Sequence, residues 1–174
     1  YETWGELDAS GTNAVLVVHA LTGDSHAAGA PDARYKRGGW WDPVIGPGRL
    51  IDTERHFVVC SNVLGGCSGS TGPASPDPQT GRPYAMRFPV ITIRDMVRAQ
   101  RRLLESLGVR RLSLVIGGSI GGQQALEWAV EFPDFVERAV PVAANGALGP
   151  QGLGMSEIGR RAIMADPDWQ GGDY

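Results

Sequence analysis

Ser119 lies between Gly117 and Gly121 in the stretch LSLVIGGSIGGQQALEWAV, residues 112–130. A serine hydroxyl is a weak nucleophile. To attack a carbonyl it needs a base, a carboxylate that orients the base, and N–H donors for the oxyanion. Gly-x-Ser-x-Gly offers such a serine when strand, tight turn and helix follow in order. Leu112 to Ile116 is an apolar run of strand length, and a helix-period segment runs from Ile120 to Phe132, where Pro133 stops it. The glycines let strand and helix approach each other, while the serine takes a strained backbone at the top of the turn. The free N–H groups at the helix start then favour developing negative charge. The bland alternative is a glycine turn whose serine bonds locally. A phosphate loop fails on spacing, because no Lys follows the glycines and Ser119 stands where a dinucleotide fingerprint needs Gly.

Two oxyanion donors are expected, the backbone N–H of Ile120 and an N–H from the loop after an earlier strand. Ala14–His19 (AVLVVH) is that strand, and Leu21 in the loop after it is the candidate. The base is harder to find. In this arrangement an Asp or Glu and then a His follow the serine, yet His19, His26 and His56 all precede it. His19 ends a strand and reads as structural. His26 sits in a loop that could approach the site, and His56 opens a strand. Asp134, Asp166, Asp168 and Asp173 follow the serine, but none ends a recognisable later strand.

The elements that must position these groups read as follows. Tyr1–Leu7 is the tail of a strand. Ala14–His19 and Phe57–Val63 are buried-type strands. Arg34–Leu50 is irregular, and Leu64–Arg87 is a long Gly/Ser/Pro loop, functional or mobile at that length. Thr92 caps a helix, with Asp95 as part of a capping box and Gly108 as its terminator. Ile93, Met96, Val97, Gln100, Leu103, Leu104 and Leu107 share one face, while Arg98, Arg101 and Arg102 lie mainly on the solvated one. Arg138–Ala144 is a further strand, in which Pro141 argues against an uninterrupted central ladder. Ser156 is expected to cap a helix over Ser156–Ala165. Buried-type strands alternating with helices give an α/β class, a mostly parallel sheet with helices on both faces. The loops after His19, Val63, Ile116 and Ala144 open onto its carboxyl edge, where ligands bind.

The chain has 174 residues, an apolar fraction of 42% and a net charge of −3. One domain with a sizeable core fits that length. There is no basic block to indicate nucleic acid, no apolar run long enough for a bilayer, and no signal-peptide pattern. Cys60 and Cys67 make neither a disulfide framework nor a metal pair, and a reduced cytoplasmic setting is expected. Cys60 reads as core and Cys67 as a pocket-loop residue, while Trp40, Trp41 and Trp128 read as packing. A start at Tyr1 and a polar end at Tyr174 suggest a segment of something longer.

Three segments carry a resemblance to the homoserine O-acetyltransferase family: His19-Ala20-Leu21-Thr22-Gly23-Asp24, then Ser61 to Cys67 continuing through Gly69–Pro73, and Gly117 to Trp128. The family commonly has Met where Ile120 stands. The resemblance implies the α/β-hydrolase fold, cut before its later strands and most of a helical lid. Residues 1–150 would be the partial core and residues 151–174 the start of the lid. It implies ping-pong acyl transfer in methionine biosynthesis. Ser119 would take an acyl group from acetyl-CoA or succinyl-CoA and pass it to the hydroxyl of L-homoserine or serine. Leu21 and Ile120 would form the oxyanion hole, and Gly66, Cys67 and Gly118 are the candidates for substrate contact. No permanently bound cofactor or metal, nucleic acid or membrane is expected; a homodimer is. The catalytic Asp and His would lie beyond Tyr174, so this stretch alone is expected to give no multiple turnover. The alternatives are a serine ester hydrolase on the same fold and a non-catalytic truncated product.

Overall fold

The computed structural model describes residues 1–172. Along it five strands come first, and then α-helix, strand, α-helix, strand and α-helix follow in turn. The main sheet contains β1 (Glu2–Trp4), β2 (Ala14–Val18), β5 (Phe57–Cys60), β6 (Leu112–Gly118) and β7 (Ala139–Val142), in the order β1-β5-β2-β6-β7. Four of these run parallel, and β1 pairs antiparallel with β5. β2 is central and wholly buried, so both of its faces are apolar. Val15 is paired with Val58 on one side and Leu114 on the other. Pro141 lies in β7, which pairs only with β6 among the described strands. That edge position tolerates its missing N–H.

Alternate residues of β2 feed two cores. Leu16 and Val18 join Val59, Val97, Leu104, Val115 and Trp128 on the face covered by α1 (Ile93–Ser106) and α2 (Ile120–Glu131). Val15 and Val17 join Val58, Cys60, Ala27, Ala28, Ile45 and Ile51 on the other. That second face is covered by the chain between β2 and β5, which has no helix and includes the two-residue strands β3 (Ile45–Gly46) and β4 (Ile51–Asp52). Among the described residues, therefore, helices pack on one sheet face and a turn-rich segment on the other.

The expected helix caps form. Thr92 Oγ1 accepts from Asp95 N–H at 3.2 Å, and Asp95 accepts in return from Thr92 N–H at 2.9 Å. Gly108 closes α1 with a φ of +86°. The arginine face is less bare than its sequence suggests. Arg98 pairs with Glu131 of α2, and Arg101 lies 3.5 Å from the centre of the Phe135 ring. The last helix corrects the expectation for Ser156. α3 spans Pro150–Met164, with Gly149 at its N-cap and Pro150 in its first turn. Proline has no N–H to lose there and its φ is already helical, which outweighs the weaker signal of Ser156. No residue of α3 is buried. Among the described residues, no helix is long and apolar enough to cross a membrane.

The loop over residues 64–87 is not without structure. Gly65 N–H donates to Thr71 O at 2.8 Å, Asp77 receives Arg87 at 3.0 Å, and a turn of 3-10 helix forms at Ala85–Arg87. Short-range bonds of this kind hold a glycine- and proline-rich loop in one shape without a ladder.

Candidate active site

β6 and α2 meet at Ser119, whose φ of 56° and ψ of −121° lie outside the regions a serine ordinarily occupies. The turn is held open on both sides. Ser119 N–H donates to Val142 O at 3.0 Å, and Ser119 O accepts from Gln123 N–H at 3.1 Å. The glycines are steric necessities. A Cβ on Gly117 would stand 2.6 Å from Val18 O, and one on Gly121 would stand 2.3 Å from it. α2 therefore sits against the end of β2 at a distance no side chain permits. Ser119 itself is exposed, and its side chain does not cap the helix.

Two cavities flank the elbow. One, of about 550 Å³, is lined by Leu21, Gly66, Cys67, Val63, Phe88 and Ile120. The other, of about 660 Å³, is lined by Gly118, Asp24, Arg34, Lys36, Arg37 and Trp40. Of the candidates read from sequence, Leu21, Ile120, Gly66 and Cys67 come together around the first, while Gly118 faces the second. The backbone N–H groups of Leu21 and Ile120 donate to no acceptor among the described residues. Gly66 N–H is committed to Val63 O at 3.1 Å, so it contributes wall rather than a donor. Cys67 is an exposed free thiol in that wall. Cys60 is buried in the sheet, and burial pushes its thiol well above the ordinary range, which makes it inert.

None of the three histidines is bonded to Ser119. His19 is buried, with Nδ1 2.7 Å from Ala20 O and Nε2 accepting from Val63 N–H at 3.2 Å, so both ring nitrogens are engaged. His26 is buried, bonded through Nδ1 to Glu2 at 2.9 Å and stacked on Tyr35 at 4.6 Å. Burial opposes charge on His26, but the hydrogen bond and the charge of Glu2 outweigh it and raise its pKa above the ordinary value. His56 lies at the opposite edge of the sheet, where Nδ1 meets Asn13 O at 3.4 Å. Asp134 follows α2 at the end of that helix remote from Ser119, and Asp166 turns back on Asp168 N–H. Asp173 lies outside the described residues.

A buried polar chain supports the elbow helix. Trp128 Nε1–H donates to Gln100 Oε1 at 2.8 Å, Gln100 Nε2–H donates to Gln124 Oε1 at 2.8 Å, and Gln124 Nε2–H reaches Ile120 O at 3.3 Å. In the sequence Gln100 stands as one member of a mostly apolar stripe. The signal that was present is an amide on a buried helical face, which requires a partner.

A strained serine between a parallel strand and a helix, with uncommitted amides beside it, has the geometry of a nucleophile elbow. The model of the alpha/beta hydrolase fold family matches residues 13–174, and the chain belongs to that family. Within it the chain is similar to the homoserine O-acetyltransferase of Solidesulfovibrio magneticus, 59% identical over 100% of this chain and 44% of that protein. The crystal structure of a homoserine O-acetyltransferase from Bacillus anthracis is 40% identical with a TM-score of 0.93, over 99% of this chain and 48% of that one. A crystallised esterase is also 40% identical, with a TM-score of 0.92, over 99% of this chain and 48% of that one. The chain thus spans less than half the length of these relatives.

Proposed function

We propose that residues 1–174 supply the nucleophile half of an acyltransferase that moves an acyl group, acetyl in the first instance, from acyl-CoA to the hydroxyl of L-homoserine. Ser119 Oγ attacks the thioester carbonyl, its proton passes to a base, and the CoA thiolate leaves and is protonated. The homoserine hydroxyl then attacks the acyl-serine, loses its proton to the same base, and Ser119 is released. Leu21 and Ile120 N–H groups stabilise the oxyanion in both halves. The observation that carries this reading is that these two uncommitted amides border one cavity beside a strained serine. The base and its carboxylate are assigned to chain beyond Tyr174, because none of His19, His26 and His56 is hydrogen-bonded to Ser119. Arg34, Lys36 and Arg37 around the second cavity suit the phosphates of a CoA donor. A role in methionine biosynthesis, a cytoplasmic setting, a homodimer and a lid beginning at α3 complete the proposal.

Ester hydrolysis is the second reading, favoured by the esterase of equal identity and near-equal TM-score. The test uses the full-length protein. Acetyl-CoA should acetylate Ser119, detected by peptide mass spectrometry, and adding L-homoserine should yield O-acetylhomoserine faster than acetate. If acetate predominates with saturating homoserine, the transferase reading fails and the hydrolase reading stands.

A further inference from the structure

We infer that His19 and Asn62 are positioning residues that aim the Leu21 N–H, an inference that rests on Leu21 being an oxyanion donor. Val63 N–H can only donate, so the His19 Nε2 that faces it at 3.2 Å must be the acceptor. Nδ1 then carries the proton and donates to Ala20 O at 2.7 Å. Ala20 C=O and Leu21 N–H belong to one planar trans peptide and point in opposite directions. Holding the oxygen therefore fixes the direction of the N–H. Gly23 N–H takes the other lone pair of Ala20 O at 2.9 Å. Leu21 itself is 74% exposed, so its own burial does little to anchor this peptide.

Asn62, next to Val63, secures the far end of the same loop. Its Oδ1 accepts from Ser25 N–H at 2.8 Å, and its Nδ2 donates to Ser25 Oγ at 3.2 Å and to Ser68 O at 2.5 Å. Two consecutive residues leaving β5 thus clamp both ends of the loop leaving β2. Both side chains are buried, so the bonds are shielded from competing water. A donor held in place before reaction needs no reorganisation when charge develops, which is where an oxyanion hole gains its effect. Loss of the clamp should slow acylation and leave substrate binding intact.

The experiment compares His19→Gln with His19→Asn in the full-length protein, using single-turnover acylation by an activated acetyl ester. Gln reaches toward Val63 but loses the donor to Ala20 O, whereas Asn places an amide N–H near the Nδ1 position. We expect at least a tenfold lower acylation rate constant in His19→Gln with KM unchanged, and rescue to within threefold in His19→Asn. A merely structural histidine would lower thermal stability in both and leave acylation by the folded fraction unchanged. Parental acylation in His19→Gln, or equal loss in both folded variants, overturns the proposal. If His19→Gln does not fold, Asn62→Asp decides. It keeps the acceptor for Ser25 N–H and loses the donors to Ser25 Oγ and Ser68 O, and at least a threefold slower acylation is expected, while the parental rate overturns the proposal. Ser119→Ala is run alongside. Acylation that survives that change would sink the underlying nucleophile reading instead.

Discussion

Replacing Gln100 with leucine should destabilise the full-length protein far more than a change between side chains of similar size in a core. Gln100 accepts from Trp128 Nε1–H and donates to Gln124 Oε1, each at 2.8 Å, and it is 4% exposed, with Trp128 and Gln124 at 0%. Leucine leaves both groups without a partner in a place water does not reach. Each orphaned polar group costs roughly 1–3 kcal/mol, and the apolar gain of the leucine offsets about a kcal/mol of the sum. The net loss is therefore about 1–5 kcal/mol. Equilibrium urea unfolding followed by tryptophan fluorescence measures it, with Trp128 one of the five tryptophans of residues 1–174 that contribute to the signal. The two single variants together orphan three groups, whereas the doubly substituted Gln100→Leu/Gln124→Leu protein orphans only the indole N–H, so it should be more stable than the sum of the single losses by about 2–6 kcal/mol. A Gln100→Leu protein within about 0.5 kcal/mol of the parent, or strictly additive single and double losses, would refute the claim that the chain acts as a unit.

The Glu2–His26 pair gives a pH dependence of definite sign. Because the folded protein holds the His26 pKa above its ordinary 6.5, the pair's contribution is fully present below that value and is lost as pH rises through the raised one. Thermal stability followed from about pH 5 to 8 should fall with a His26 component that Glu2→Gln removes; an unchanged slope in that variant would count against it. At the second cavity, charge reversal at Lys36 or Arg37, neither of which has a carboxylate partner among the described residues, should raise KM for acyl-CoA by about fivefold with kcat little changed. The effect should shrink with added salt and be absent with an uncharged activated ester. An equal effect on both substrates would mean the cations serve the fold and not the donor.

Much of this site is legible locally. Gly117-x-Ser119-x-Gly121 between an apolar run and a helical period fixes an elbow, because the steric demand of that turn is met or failed within five residues. Thr92 with Asp95, and Gly108 after Leu107, fix both ends of α1 by hydrogen bonds that span a few positions. The start of α3 is written in Gly149-Pro150, a stronger signal than Ser156 seven residues into the helix.

What the tertiary structure decided are the partnerships between distant segments. The sequence pairs Leu21 with Ile120 as oxyanion donors, and the pairing of β2 beside β6 is what brings the two, 99 positions apart in the chain, to one cavity. It also sent Gly118 to a different cavity from Gly66 and Cys67. Sequence left His19 as a residue ending a strand; its tautomer follows from Val63, which lies 44 positions away. Gln100 finds Gln124 and Trp128 only because α1 and α2 pack side by side on one sheet face. Local geometry depends on sterics and hydrogen bonds between near neighbours, and these are written residue by residue. Which strand lies beside which depends on the sum of many weak apolar contacts, and no single motif records that sum.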